Sequence, residues 1–188
     1  MKTRESGMPD ESTWEQFFDP ESILDALGIF GLSENILDLG CGYGTFTIPA
    51  ARKNRGLVYA LDIETEMIAA TQTKAREAGL ENVRAIQRDF MGAGTGLPDN
   101  NCEVVMLFNI LHAEDPLKIL AEAQRVLVPG GKVAVIHWIY DASTPRGPSL
   151  NTRPRPEQCQ AWIREAGFLL TLPLVSLPPY HYGMAGQK

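Results

Sequence analysis

A doubly wound α/β domain, with helices on both faces of a mostly parallel sheet, is the fold this sequence predicts. Three observations predict it. From residue 35 onward, short apolar runs alternate with amphipathic segments, the pattern of repeated strand–helix units. One of those runs, 35–39, passes straight into three alternating glycines, Gly40, Gly42 and Gly44, and then into a helix. The 188 residues, 44% of them hydrophobic, suit one compact core and are too few for two full-sized domains.

The elements follow in chain order. Residues 1–12 are polar and aperiodic and are expected to be a mobile tail, which leaves 13–188 as a single domain. Asp19-Pro20-Glu21 supplies a cap, a proline at the first helical position and an early acid, so a helix starts there and Gly28 ends it. Residues 35–39, 57–61, 83–87, 103–108 and 132–139 are the first five predicted strands. A helix over 65–78 closes at Gly79, and one over 117–128 starts behind Asp115-Pro116 and closes at Pro129-Gly130-Gly131. A further helix, 157–166, begins behind Pro156 and stops at Gly167. The apolar run 168–186, broken by Pro178-Pro179, predicts two last strands joined by a turn, so the chain ends in sheet. The longest irregular stretch, 140–156, has four prolines and three arginines and is expected to be an active-site loop.

Composition excludes several function classes. The formal net charge is −6, the wrong sign for a protein that lives by phosphate-backbone contacts, so a nucleic-acid partner is not expected. Cys41, Cys102 and Cys159 form neither a disulfide framework nor a zinc-ligand pattern. No membrane span or signal peptide is legible, and a cytoplasmic location is expected.

The glycine turn carries the chemistry. A dinucleotide fingerprint places its third glycine three residues after the second, whereas Gly44 follows Gly42 by two, and Asp38 precedes the turn. A carboxylate there would repel a pyrophosphate and suit the positively charged methionyl end of a sulfonium cofactor. A strand–turn–helix with permissive glycines and no ligand is the plainer alternative. Asp62 ends the second strand, where an acid receives ribose hydroxyls, although it could equally cap the next helix. Asp89 and Phe90 end the third, where an adenine could be hydrogen-bonded and covered. Cys41 within the turn, Ile63 beside Asp62 and Met67 in the following helix complete the expected donor site.

With these residues, Phe108-Asn109-Ile110-Leu111-His112 and Arg125-Val126-Leu127-Val128-Pro129-Gly130-Gly131, the chain resembles the class I S-adenosylmethionine-dependent methyltransferases of the small-molecule type, and is similar to the quinone-biosynthesis group. The resemblance covers roughly residues 14–185 and implies a Rossmann-like seven-stranded sheet with an antiparallel last strand. It implies S-adenosylmethionine as cofactor, with Gly40, Gly42 and Gly44 beside the methionyl part, Asp62 on the ribose, and Asp89 with Phe90 on adenine. Asn109 and Leu111 would line the far side of the methionyl group. Glu103, where relatives often have Asp, is a departure away from the cofactor edge.

The acceptor is less legible. His112, His137 and His181 all fall near carboxyl edges of strands, where ligands bind in open parallel sheets, and their spacing matches no metal-ligand pattern. His112 is the candidate general base because it follows the donor-lining segment, whereas His137, among Val133, Val135, Ile136 and Trp138, also fits a satisfied interior histidine. Arg146, Arg153 and Arg155 could clamp an anion, and Trp138, Tyr140, Tyr180 and Tyr182 could wall a planar acceptor; a solvated loop and edge packing are the competing readings. Of these, His137, Tyr140, Arg146, Tyr180 and His181 form the expected acceptor site. Leu177-Pro178-Pro179-Tyr180 resembles the Pro-Pro-aromatic element of nucleic-acid amino-methylating enzymes but lies after the wrong strand. Without a cap domain the acceptor site is expected to be shallow or completed by another chain, consistent with a homodimer. A cofactor-binding sensor without turnover stays open beside the enzyme.

Overall fold

The computed structural model describes residues 8–188. Seven strands form one sheet in the order β3-β2-β1-β4-β5-β7-β6, with β1 Asn35–Leu39, β2 Val58–Asp62, β3 Val83–Gln87, β4 Cys102–Phe108, β5 Leu127–Trp138, β6 Leu169–Leu177 and β7 His181–Gln187. β7 runs antiparallel to both of its neighbours, β5 and β6, and the pairings from β3 through β5 are parallel. The expected doubly wound architecture with an antiparallel last strand is therefore present.

Alternation along each strand divides the core into two layers. Leu37, Val105, Leu107, Val133 and Val135 face helices α6 Pro116–Val126 and α7 Pro156–Glu165, meeting Leu120, Ala123 and Ile163. Ile36, Val104, Met106, Ala134 and Ile136 face α2 Pro20–Ala26 and α3 Thr47–Lys53, meeting Ile23, Leu24, Ala50 and Ala51. Strands buried on both faces must be apolar throughout, which is why they read as continuous runs rather than alternating ones. Helix α4 Thr65–Glu77 packs Ile68 against Ala60 and Cys41.

The predicted helix starts are built as expected. Asp19 accepts the Ser22 N–H at 3.2 Å ahead of Pro20, and Asp115 accepts the Lys118 N–H at 3.0 Å ahead of Pro116. Several strand and helix ends are shifted by one residue, and three departures are larger. Of the tail expected over 1–12, residues 1–7 lie outside the described residues, but Asp10 accepts the Thr13 N–H at 3.1 Å and caps α1 Glu11–Glu15. Five residues are too few to show helical periodicity in sequence. Helix α6 stops at Val126, two residues earlier than expected, because Leu127 already pairs with Cys102 and draws the following segment into the sheet. Asp89 accepts the Gly92 N–H at 3.0 Å and opens a single turn, α5 Phe90–Ala93, which the sequence did not announce.

Candidate functional site

The glycine turn lies at the carboxyl end of β1, with Gly40, Gly42 and Gly44 at φ of 75°, 53° and 75°. These left-handed conformations favour glycine, and the absence of side chains lets other groups lie against the backbone. A Cβ on Gly40 would come 2.9 Å from Ile110 Cγ2, and one on Gly42 would come 3.0 Å from Met8 Cε. Asp62, at the end of the neighbouring strand, braces the turn: its carboxylate accepts the Gly42 N–H at 2.9 Å and the Glu64 N–H at 3.0 Å. Burial raises its pKa, and those two hydrogen bonds work against the rise.

Asp38 lies beneath the turn, 2% exposed, and accepts the Thr47 hydroxyl at 2.6 Å. Burial pushes its carboxyl up to about 7, the Thr47 hydrogen bond opposes this, and the Asp62 charge adds to it. Cys41 is buried against Thr71, and burial lifts its thiol well above the ordinary range, so it lines the site without being a nucleophile. Met67 is buried in the first turn of α4, and Ile63 is half-buried, its carbonyl accepting from Gln87 at 3.1 Å. Asn109 holds φ at 59° past the end of β4, and its Oδ1 is buried without a protein partner; the Thr45 hydroxyl at the turn is in the same condition. Leu111 is buried in the core layer under α6, and Phe90 packs against that layer from α5.

The expected acceptor residues divide between the two faces of the sheet. His137 pairs directly with Tyr182, and Trp138 with His181. Directly opposed residues share a face and successive residues alternate, so His137 and His181 point to opposite sides. His112 meets His137 edge to face at 5.5 Å on the α6–α7 side. His181 lies on the other side, against Trp138 at 4.3 Å and Phe18 at 4.4 Å. Among the described residues no group of three or more His, Cys, Asp or Glu is placed to hold a metal.

Both nitrogens of His137, both of His181 and Nδ1 of His112 are buried without a partner. His137 is fully buried, as the interior reading expects, with the rings of His112 and Tyr182 as neighbours, but neither of its ring nitrogens has a hydrogen-bond partner, so it is not a satisfied one. Burial lowers the pKa of all three, His181 to about 3; for His137 the nearby His112, His181 and Arg153 lower it further.

The loop residues also separate. Arg153 is buried and donates to the carbonyls of Ile139, Asp141, Arg146 and Pro148 and to the Thr144 hydroxyl, so its guanidinium organises the loop and is not an anion clamp. Arg155 lies 3.8 Å over the Tyr140 ring. Arg146 is exposed, and Tyr180 stacks on Trp138 at 6.1 Å. Sequence reasoning missed Met8 at the turn and the aromatic residues Trp14, Phe17 and Phe18, which pack on Trp138. The adjacent Phe17-Phe18 immediately before a capped helix was the available signal.

The family described as "Methyltransferase domain" matches residues 36–131, just over half of the chain. The chain belongs to this family. As a methyltransferase domain it is 32% identical over 114 residues to aklanonic acid methyltransferase DauC of Streptomyces sp. (strain C5), covering 59% of this chain and 51% of that protein. It is 34% identical over 117 residues to demethylmenaquinone methyltransferase of Listeria monocytogenes, covering 61% and 47%. The chain therefore spans about half the length of the curated relatives it matches. The crystal structure of a SAM dependent methyltransferase from Aquifex aeolicus superposes with a TM-score of 0.82 at 27% identity, covering 95% of this chain and 93% of that one.

The residues of this methyltransferase domain fit the donor of its family, S-adenosylmethionine. The glycine turn leaves the backbone open to a ligand, Asp62 keeps lone pairs beyond its two backbone bonds, and Asn109 Oδ1 and Thr45 Oγ1 are buried polar atoms awaiting partners.

Proposed function

We propose that the chain transfers the methyl group of S-adenosylmethionine to a small-molecule acceptor by in-line displacement. The observation that carries this reading is the left-handed glycine turn at the carboxyl end of β1, locked by its Gly42 N–H to the Asp62 carboxylate of the next strand. When bound, the cofactor supplies an electrophilic methyl on a positively charged sulfur. The nucleophile forms its bond to that carbon as the carbon–sulfur bond breaks, leaving S-adenosylhomocysteine. The protein needs mainly to align the two and to exclude water.

Asp62 would receive the ribose hydroxyls, and Asp89 with Phe90 the adenine. Gly40, Cys41, Gly42 and Gly44 would border the methionyl group, with Asp38 facing its charge; Ile63 and Met67 would line the ribose side, and Asn109 with Leu111 the far side. His112 is the candidate base: burial keeps it neutral, and its Nδ1 has no partner. For the acceptor, His137 beside His112 offers one wall and Tyr180 with His181 beside Trp138 offers another on the opposite face, with Tyr140 and Arg146 in the loop after β5. The net charge of −6 supports a small molecule over nucleic acid, and no described helix is long and apolar enough to cross a membrane. A cytoplasmic location and a homodimer completing the acceptor site belong to the same proposal.

Calorimetric titration of the purified chain with S-adenosylmethionine, S-adenosylhomocysteine and NADH tests it. The adenosyl ligands are expected to bind, NADH is not, and Asp62→Ala should weaken binding by about tenfold or more. A folded protein that binds neither adenosyl ligand would overturn the reading. Consumption of the donor in an acceptor screen separates an enzyme from a sensor.

A further inference from the structure

Asp38 is a buried carboxyl group without a cation. It lies near the carboxyl end of β1 on the face that α3 covers, and the Thr47 hydroxyl donates to it at 2.6 Å. Its neighbours across the sheet, Ala60 on β2 and Met106 on β4, are apolar and fully buried. The titratable groups near it, the Asp62 carboxyl at the end of β2 and the Cys41 thiol in the turn, carry negative charge or none. Among the described residues no lysine, arginine or histidine acts on it. A buried carboxylate needs an opposite charge, and a hydroxyl beside a like-charged neighbour does not supply one. The chain by itself therefore holds this carboxyl protonated near neutral pH, in keeping with a burial that raises its pKa to about 7.

That proton sits two residues before Gly40, beneath the turn that the donor reading gives to the methionyl group. S-adenosylmethionine and S-adenosylhomocysteine share the methionyl ammonium and carboxylate, and only the donor adds a sulfonium. A positive charge brought close to a buried carboxyl favours its ionised form. We propose that Asp38 tells donor from spent product by a proton: it ionises when the sulfonium arrives and is protonated again once methyl transfer has removed that charge. On donor binding the carboxyl O–H bond breaks, the proton leaves to solvent, and the carboxylate stays to offset the sulfonium. After transfer the sulfur is neutral and the carboxylate takes a proton back from solvent. Affinity for the donor then rises with pH through the titration of Asp38, and affinity for the product rises less. The proposal rests on the S-adenosylmethionine reading and adds the residue that makes preference for donor over product depend on pH.

Calorimetric titration of the purified chain at pH 6.5, in phosphate and in Bis-Tris, counts the protons released, because the two buffers differ in ionisation enthalpy. At that pH the amino groups of the ligands, with pKa values of about 8, stay protonated. S-adenosylmethionine is expected to release more than about half a proton, and S-adenosylhomocysteine a smaller fraction. Donor affinity should rise about tenfold from pH 5.5 to 7.5, and product affinity by less than about threefold. Asp38→Asn, which is neutral at every pH, should abolish both the release and the pH dependence. Thr47→Val removes the hydrogen bond that favours the ionised carboxyl and should move the rise in donor affinity to higher pH. Equal release by the two ligands, no release on donor binding, or release that survives Asp38→Asn would overturn the proposal. If Asp38→Asn fails to fold, an unmoved pH profile in Thr47→Val does so instead. Failure of both adenosyl ligands to bind folded wild type would overturn the donor reading itself, and the proton linkage with it.

Discussion

At Asp38 a carboxyl group is held where water does not reach, with the Thr47 hydroxyl as its hydrogen-bonding neighbour. Its folded pKa, about 7, lies above the ordinary 3.8, so the folded state holds a proton that the unfolded chain releases. The stability this contributes is complete below about pH 4 and lost as pH rises through 7, a span corresponding to about 4 kcal/mol. Asp38→Asn, neutral at every pH, is therefore expected to be more stable than wild type in urea unfolding at pH 8 and close to it at pH 4. A second residue-scale contrast concerns glycines. Gly79 has φ +66° and open space where a Cβ would stand, so Gly79→Ala should cost only the left-handed strain, about 1 kcal/mol. Gly56 has an ordinary φ, but a Cβ there would lie 1.9 Å from the Glu34 carbonyl oxygen. That atom belongs to the backbone leading into β1 and cannot swing aside. Calorimetric unfolding should show Gly56→Ala losing far more stability than Gly79→Ala.

At the scale of elements, the loop after β5 owes its shape to one side chain. Arg153 bridges Ile139 and Asp141 at the loop's start to Arg146 and Pro148 further along, through a planar fork that a lysine cannot reproduce. Arg153→Ala leaves several carbonyls without donors and is expected to cost about 2–3 kcal/mol. Limited proteolysis should cut within 140–152 in Arg153→Ala and in Arg153→Lys far faster than in wild type. The loop itself was legible from its prolines and arginines. The role of each arginine was not, because composition shows that a segment is irregular but not which charge it turns inward.

For the whole molecule, pH acts through the histidines in the opposite direction to Asp38. Burial holds His112, His137 and His181 below the ordinary 6.5, so the unfolded chain takes up protons that the folded one excludes. Stability from these groups is complete above 6.5 and falls as pH drops from 6.5 toward 3. In Asp38→Asn, where the opposing carboxyl is gone, thermal unfolding between pH 7 and pH 4 should show a progressive fall in Tm, and adding His181→Phe should make that fall shallower. A Tm that rose on acidification in both proteins would show that the carboxylates, not the imidazoles, govern the profile.

What the sequence determined by itself was local. The succession of apolar runs, the Asp-Pro helix starts, the glycine turn and the acids at the ends of the first three strands each depend on residues within a few positions of one another, and each is present in the structure where the sequence put it. Helix α1 and the turn α5 escaped notice because five and four residues carry no periodicity. Only the tertiary structure decided where the candidate acceptor residues lie. Whether His137 and His181 share a face depends on the register between β5 and β7, and a one-residue shift would bring them to the same side. The stacking of Phe18 on His181 and the packing of Met8 on Gly42 join residues distant in sequence, and nothing in their local context specifies the partner. The glycine turn is written in one stretch of chain, whereas the packing of Phe18, Trp138 and His181 joins the two ends of the chain to the middle of the sheet and exists only once they have packed.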